Sequence, residues 1–292
     1  MAEIRPVIFI VGLLLTGLAG VMVIPAIVEL ILGSPEWRAF IIAAGGTVFV
    51  GGALAFATYT EKPRIGLRQA FLMTATCWLA AGIFASLPFY LMSVPLSFTD
   101  AVFEAMSGIT TTGSTVMIGL DHAPAGILLW RALLQWMGGI GIIVTAIAIL
   151  PMLQVGGMQL FRTESSSRTE KALPRAAPLA GWIASIYASL TAIWALMLWM
   201  AGMGPFDAIA HAMTTIATGG FSTSDQSIGA FQSPAIHWII TAGMIAGSLP
   251  FVLYLQALRG NAKPLLMDTQ IRWFIGTCLL YTSDAADDLV GV

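Results

Sequence analysis

Two short runs of threonine and glycine are the residues in this chain whose types and spacing could do chemistry. The first is Thr110-Thr111-Thr112-Gly113 and the second is Ala217-Thr218-Gly219-Gly220. Backbone carbonyls and threonine hydroxyls of an extended loop can replace the water shell of a dehydrated cation. Glycine lets the backbone turn successive carbonyls to one side and lets several chains approach closely. Neither run contains a carboxylate, so the pattern favours a monovalent cation over a divalent one.

The two runs end two segments that repeat each other. Aligned without gaps on Asp100 and Asp207, residues 100–113 and 207–220 are identical at seven of fourteen positions. We expect each acid to cap a short helix, because its oxygens can accept hydrogen bonds from the free N–H groups of a first helical turn. A helix this short cannot cross a bilayer. Each segment is therefore predicted to be re-entrant, with a pore helix that enters the membrane and an extended loop that returns inside surrounding protein.

The composition places these segments in a membrane protein. The chain has 292 residues, of which 58% are hydrophobic and 10% charged, and its mean hydropathy is +0.87. A soluble domain has about 25% charged residues, so lipid must be the solvent for much of this chain. A seventh apolar stretch begins near Arg272, and we expect the acidic residues after Tyr281 to break it halfway through the membrane. The six predicted spanning helices are 7–32, 39–59, 70–92, 126–150, 179–203 and 235–258.

The basic residues predict the orientation of the spans. Ten of the thirteen Lys and Arg residues fall in alternate loops, at 62–68, 162–175 and 259–272. Loops enriched in Lys and Arg remain in the cytoplasm, and Arg5 places the N-terminus on the same side. Both re-entrant segments then begin and end outside, and the loop 162–178 is the candidate surface for a cytoplasmic regulator.

Other chemistries find little support. Cys77 and Cys278 lie in apolar runs, and the three histidines lack the spacing of metal or haem ligands. A membrane-anchor subunit of a respiratory complex is expected to have paired histidines on facing helices to bind haem. A proton-coupled transporter of another solute is expected to have acids or bases in the middle of its spanning helices. We therefore expect a transport protein and not an enzyme, with no organic cofactor and no nucleic-acid partner.

Four motifs carry a resemblance to a known family, and they are Phe103–Gly113, Leu134–Ile143, Gly156–Leu160 and Thr215–Thr223. On them the sequence resembles the TrkH/KtrB superfamily of potassium transporters, and within it TrkH, from the N-terminus to about Ile275. The resemblance implies an all-α membrane fold of helix–pore-helix–filter-loop–helix units as in potassium channels, with four repeats around the pore, of which two are present here.

The resemblance also implies a function, partners and site residues. It implies uptake of K⁺ across the bacterial inner membrane, a homodimer, and a cytoplasmic nucleotide-binding regulatory subunit of the TrkA type. A sodium- or proton-coupled cation symporter of the Ktr type is the alternative. An aliphatic residue is usual at the position of Thr218, so this chain departs from the family there. The residues implied to coordinate K⁺ are Thr111, Thr112, Thr218 and Gly219, supported by Thr110, Gly113, Ala217 and Gly220.

The resemblance also divides the chain and leaves two repeats missing. We expect a C-terminal truncation, with the last dozen or so residues non-native. The expected parts are an N-terminal helix pair (1–60), a first pore repeat (69–153), a cytoplasmic linker (154–178), a second pore repeat (179–259), the start of a third (260–280) and the tail (281–292).

Three further features have structural interpretations. Glu104 and His211 occupy equivalent positions in the two pore helices, and we expect each to make a structural hydrogen bond behind the loop. Trp130-Arg131 is interpreted as an interfacial anchor, with an electrostatic effect of Arg131 on the outer mouth as the alternative. Gly138-Gly139-Ile140-Gly141 is interpreted as a site of close helix packing, with a gate or hinge as the alternative.

Overall fold

The computed structural model describes residues 4–59, 66–153 and 172–288, and the regular elements within these ranges are all helical. The linker residues 154–171, with the motif Gly156–Leu160, lie outside them, as do Lys62 and Arg64. Two short 3₁₀ turns, Leu120–His122 and Ser227–Ala230, follow the two loops. The helices are α1 (Arg5–Ile31), α2 (Trp37–Ala57), α3 (Leu67–Ala85), α4 (Leu87–Leu91), α5 (Phe98–Ile109), α6 (Ala125–Leu153), α7 (Ala172–Met200), α8 (Pro205–Ile216), α9 (Pro234–Ser248), α10 (Phe251–Leu258), α11 (Lys263–Met267) and α12 (Thr269–Asp288).

The predicted spans are confirmed for five of the six helices. Within the described ranges, five stretches are long and apolar enough to cross a membrane, so the chain is a multi-pass membrane protein. The prediction of one continuous sixth helix is wrong, because α9 and α10 meet at a bend of 91°. Pro250 lacks an N–H and disfavours helical backbone at Leu249, whose ψ is 147°. The five stretches are Arg5–Ile31, Trp37–Ala57, Arg68–Leu91, Ala125–Ile143 and Leu179–Met200.

The prediction that the seventh helix breaks at its acidic residues is also wrong. Helix α12 continues from Thr269 to Asp288. Hydropathy and helix formation are separate properties: alanine is the best helix former, and aspartate costs a helix only a few tenths of a kcal/mol per residue. The acidic residues therefore remove α12 from the spanning helices of the described chain without ending the helix.

The N-terminal helix pair packs on the first repeat. Gly12 and Gly51 let α1 and α2 approach closely, because a Cβ on Gly12 would lie 2.6 Å from the backbone of Ala55. Two carboxylates then tie the pair to the repeat. Buried Glu29 accepts the N–H of Gly126, in the first turn of α6. Glu36 accepts the N–H of Ser93, at distances of 3.1 and 3.2 Å.

Separate apolar clusters pack against the two short helices α5 and α8. One large cluster joins the helices α1 to α6. A second joins α7, the end of α8, and α10 through Ile183, Tyr187, Ile216 and Phe251. A third packs the start of α8 between α7 and α9. The C-terminal ends of α5 and α8, at Ile109 and Ile216, are thereby buried in protein, which is the condition for non-helical backbone at membrane depth.

Candidate functional site

Helices α5 and α8, the predicted pore helices, begin alike, and the N-cap residue of each lies three residues before the acid that was predicted to cap it. Helices α5 and α8 are each 12 residues long. The cap of α5 is Ser97, whose hydroxyl accepts the N–H of Asp100 at 3.2 Å and donates to its carboxylate at 2.7 Å. Gly204 is the N-cap residue of α8, and Pro205 follows it at the first helical position. The prediction that Asp100 and Asp207 are caps is therefore wrong: both stand in the first turn, where a negative charge is stabilised by the helix dipole.

Both helices end in the same hydrogen-bonded turn. In the first, Thr111 N–H donates to the carbonyl of Gly108 and Thr112 N–H to that of Ser107, at 3.0 and 2.9 Å. In the second, Thr218 N–H donates to the carbonyl of Thr215 at 3.0 Å, and Gly219 N–H donates to the carbonyl of Thr214 at 2.9 Å. This is the Schellman arrangement, in which a left-handed residue ends the helix.

A threonine occupies the left-handed position of each turn. The φ angles are 56° at Thr111 and 53° at Thr218. Helices that end this way have glycine there as a rule, since a β-branched residue with positive φ is an outlier. Such strain costs about 1–3 kcal/mol and collects at functional sites. The same costly residue at the same point of two loops indicates that its hydroxyl or its carbonyl orientation is needed.

The glycine two residues later is also left-handed in both loops. The φ angles are 80° at Gly113 and 79° at Gly220. The first loop here touches the second, because a Cβ on Gly113 would lie 1.9 Å from the carbonyl oxygen of Gly219. Glycine is therefore required at residue 113 both by its backbone and by the close approach of the two loops.

The structure brings the predicted site residues together at the ends of α5 and α8, but their surroundings differ. Thr112 and Thr218 are exposed, Thr111 is half-buried and Gly219 is buried. In the first loop, the hydroxyls of Thr110 and Thr112 are paired at 2.8 Å, and the Thr110 hydroxyl also donates to the carbonyl of Met106. In the second loop, Ala217 and Gly219 stand at the corresponding places, so the second loop lacks both hydroxyls.

The structural hydrogen bonds expected of Glu104 and His211 are confirmed. The carboxylate of Glu104 accepts the hydroxyl of Thr115 at 2.9 and 3.0 Å and the N–H of Val116 at 3.0 Å. His211 Nε2 lies 3.0 Å from the hydroxyl of Ser222, which corresponds to Thr115 in the repeat. Because His211 Nδ1 lies 2.8 Å from the carbonyl of Asp207, Nδ1 is the donor and the Ser222 hydroxyl donates to Nε2 in the neutral ring. Each of the helices α5 and α8 thus holds the part of its own loop that follows the left-handed turn.

Arg131 joins the two loops instead of anchoring α6 at the interface, so the interfacial interpretation is wrong. Its side chain is 1% exposed and its Nε donates to Glu104, which is 0% exposed, at 2.8 Å. One terminal nitrogen donates to the carbonyl of Ser222 at 2.7 Å, and the other to the hydroxyl of Thr115 at 3.1 Å. The guanidinium carbon lies 4.1 Å from the ring centre of Phe221. Trp130 is also buried, and its indole donates to the carbonyl of Ala85, because α6 is enclosed at this height.

Two glycines bring the second helix of each repeat against the end of its pore helix. A Cβ on Gly138 of α6 would lie 1.9 Å from the carbonyl oxygen of Ile109, the last residue of α5. A Cβ on Gly247 of α9 would lie 2.4 Å from the carbonyl oxygen of Ile216, the last residue of α8. The packing interpretation of the glycine run is confirmed at Gly138, and Gly247 is its counterpart in the second repeat.

The roles of three supporting residues were not predicted from the sequence. Asp207 accepts the hydroxyl of Thr223 at 2.7 Å and ties the start of α8 to the second loop. Gln135 of α6 is fully buried and accepts the N–H of Phe221 at 3.0 Å. Glu29 lies in a predicted span, and an acid at that depth was a signal that could have found it. Gln135 is a polar residue within a predicted span and lies in one of the four motifs, but its partner Phe221 is remote in the sequence, so this contact could not be predicted.

Comparison with known proteins identifies the family. The family model described as "Cation transport protein" (TrkH) matches residues 38–276. The chain is 42% identical over 278 residues to the Trk system potassium uptake protein TrkI of Halomonas elongata, covering 94% of this chain and 56% of that protein. It is 44% identical over 276 residues to the Trk system potassium uptake protein TrkH of Escherichia coli K12, covering 93% and 57%.

A solved structure agrees with this assignment. The crystal structure of the potassium transporter TrkH from Vibrio parahaemolyticus superposes with a TM-score of 0.85 at 38% identity. The match covers 95% of this chain and 57% of that one. The chain thus spans a little over half the length of the relatives that it matches. With its fold and most of its length accounted for, the chain belongs to the TrkH family of cation transport proteins.

Proposed function

We propose that this chain supplies two filter loops of a potassium-selective pore, in which carbonyl and hydroxyl oxygens replace the water around the ion. The observation that carries the proposal is the left-handed threonine, Thr111 or Thr218, at the same point of two identical turns. An alternation of left-handed and ordinary backbone turns successive carbonyls to one side, as an ion path requires. The relatives named as potassium uptake proteins support K⁺ as the transported ion.

The proposed coordinating positions are Thr111, Thr112, Thr218 and Gly219. The carbonyl of Gly219 lies against Gly113, so the two loops adjoin at the level where both would face the ion. Neither loop contains an acid, and a ring of oxygens without acids suits a monovalent cation.

The proposal extends to the surroundings of the pore. The chain lies in the bacterial inner membrane with its N-terminus in the cytoplasm, because the basic loops alternate with acidic ones. It works as a homodimer with a cytoplasmic nucleotide-binding subunit of the TrkA type. The first pore repeat spans residues 69–153 and the second spans 179–259, after the helix pair at 1–60 and the linker at 154–178. A ring of four loops needs two more than these repeats supply.

The test is uptake by a completed transporter. Residues 1–276 of this chain are joined to the part of the Escherichia coli TrkH protein that lies beyond the match, and the product is expressed in a host without its own potassium uptake systems. We expect the completed transporter to restore growth at low potassium and to take up rubidium. We expect the 292-residue chain alone to do neither. Failure of the completed transporter, if it reaches the membrane in normal amounts, would contradict the proposed function.

A further inference from the structure

The side chain of Gln135 lies directly against the second loop. Its Oε1 accepts the N–H of Phe221 at 3.0 Å. A Cβ on Gly219 would lie 2.4 Å from Cδ of Gln135, 2.5 Å from Oε1 and 2.7 Å from Nε2. These are the three nearest heavy atoms to that Cβ, so the carboxamide fills the space that a side chain of residue 219 would take.

Space, and not backbone conformation, requires glycine at residue 219. Gly219 is absent from the described residues with positive φ, whereas Gly220 next to it has a φ of 79°. An alanine would therefore suit the backbone at residue 219, and the three nearest atoms that its Cβ would meet all belong to the carboxamide of Gln135. Gly219 and Gln135 form a matched pair across two repeats.

The first loop shows which group the carboxamide replaces. The counterpart of Gly219 is Thr112, whose hydroxyl pairs with that of Thr110. The second loop has Ala217 and Gly219 at these two places. It loses the hydroxyl pair and gains instead a carboxamide from the neighbouring repeat, with a hydrogen bond to the backbone at Phe221.

We propose that Gln135 is a positioning residue that replaces this hydroxyl pair and holds the second loop in its ion-selective form. Its Nε2 is buried and has no hydrogen-bond partner among the described residues. The Nε2 atom and the carbonyl oxygen of Gly219 lie 3.7 and 1.9 Å from the point where a Cβ on Gly113 would stand. Both atoms therefore lie beside the contact between the two loops. The effect on selectivity rests on the proposed function, whereas the contact with the loop does not.

The first test measures the contact in the chain itself. The chain is purified into lipid bilayers, and hydrogen exchange is followed at the amide of Phe221. We expect Gln135→Met, which removes the acceptor at similar size, to speed exchange about fivefold to tenfold, the effect of one hydrogen bond. Gln135→Glu keeps an oxygen acceptor and should retain protection, and Gln226→Met makes the same change at an exposed site as a control. Unchanged exchange in Gln135→Met would overturn the proposal.

The second test measures selectivity in the completed transporter. We expect Gln135→Met to lower the preference for rubidium over sodium about tenfold while sodium uptake persists. Gly219→Ala should abolish uptake, and Gly219→Ala combined with Gln135→Ala should restore it with the lower selectivity. An unaltered preference in Gln135→Met, or no restoration in the double variant, would contradict the proposal. If the unsubstituted completed transporter takes up no rubidium, the proposed function fails, and the exchange at Phe221 still decides the contact.

Discussion

Replacing a strained threonine by glycine should make the protein more stable and its transport less selective. Thr111 and Thr218 have φ angles of 56° and 53° at positions that helix ends normally give to glycine. If stability alone decided which residue stands at these two positions, glycine would be favoured over threonine. The variants Thr111→Gly and Thr218→Gly separate the two properties, because they relieve the backbone and remove the hydroxyl together.

The magnitude follows from two opposing terms. A left-handed L-residue costs about 1–2 kcal/mol, whereas glycine loses about 0.5–1 kcal/mol more than other residues in conformational freedom on folding. Each variant should therefore gain about 0.5–1 kcal/mol in free energy of unfolding. Loss of an oxygen partner of a charged group costs about 1.5–3 kcal/mol, so the preference for rubidium over sodium should fall by roughly tenfold to a hundredfold.

The assay pairs unfolding of the purified chain in lipid with uptake by the completed transporter. Ser227→Gly is the matched control, since Ser227 also has a left-handed φ, of 52°, but lies in the exposed 3₁₀ turn beyond the second loop. We expect Ser227→Gly to gain a similar stability with no change in selectivity. Threonine variants that gain stability and keep full selectivity would refute the argument from strain.

Three further predictions concern the residues around the loops. Gly113→Ala should block uptake, because its Cβ would lie 1.9 Å from the carbonyl oxygen of Gly219. The control is Gly119→Ala, which should lower only stability, because Gly119 has a φ of 76° but open space around it. Equal uptake by the two variants would contradict the close approach of the loops. Glu104→Gln should lower the free energy of unfolding by about 3–5 kcal/mol by leaving Arg131 buried and unpaired, measured by denaturation in lipid, with a loss below 1 kcal/mol as the contrary result. Glu29→Ala should lower it by about 1–3 kcal/mol because a buried N–H loses its acceptor, and Glu29→Gln, which keeps one, should lower it less.

The local parts of the architecture could be predicted from the sequence. The spans follow from runs of apolar residues, and the short helices α5 and α8 follow from a short helical pattern before a Thr/Gly run. The equivalence of Glu104 and His211 also follows, because an ungapped repeat keeps equivalent residues at equivalent places. Each of these follows from the residue pattern within one segment, or from the comparison of two such segments.

The contacts between repeats could not be predicted in the same way. Arg131 next to Trp130 has the composition of an interfacial anchor, and only the fold shows that α6 is enclosed at that height. Gln135 contacts a loop that is remote in the sequence. The bend before Pro250 is different, since proline within a helical pattern was a signal available in the sequence.

The most direct measurement of the central claim is the position of the ion. Crystals of the completed transporter soaked in rubidium would give an anomalous signal wherever the ion binds. We predict a peak beside the two turns, within contact of oxygens of Thr111 and Thr218. A peak elsewhere in the protein, with none beside these threonines, would contradict the account.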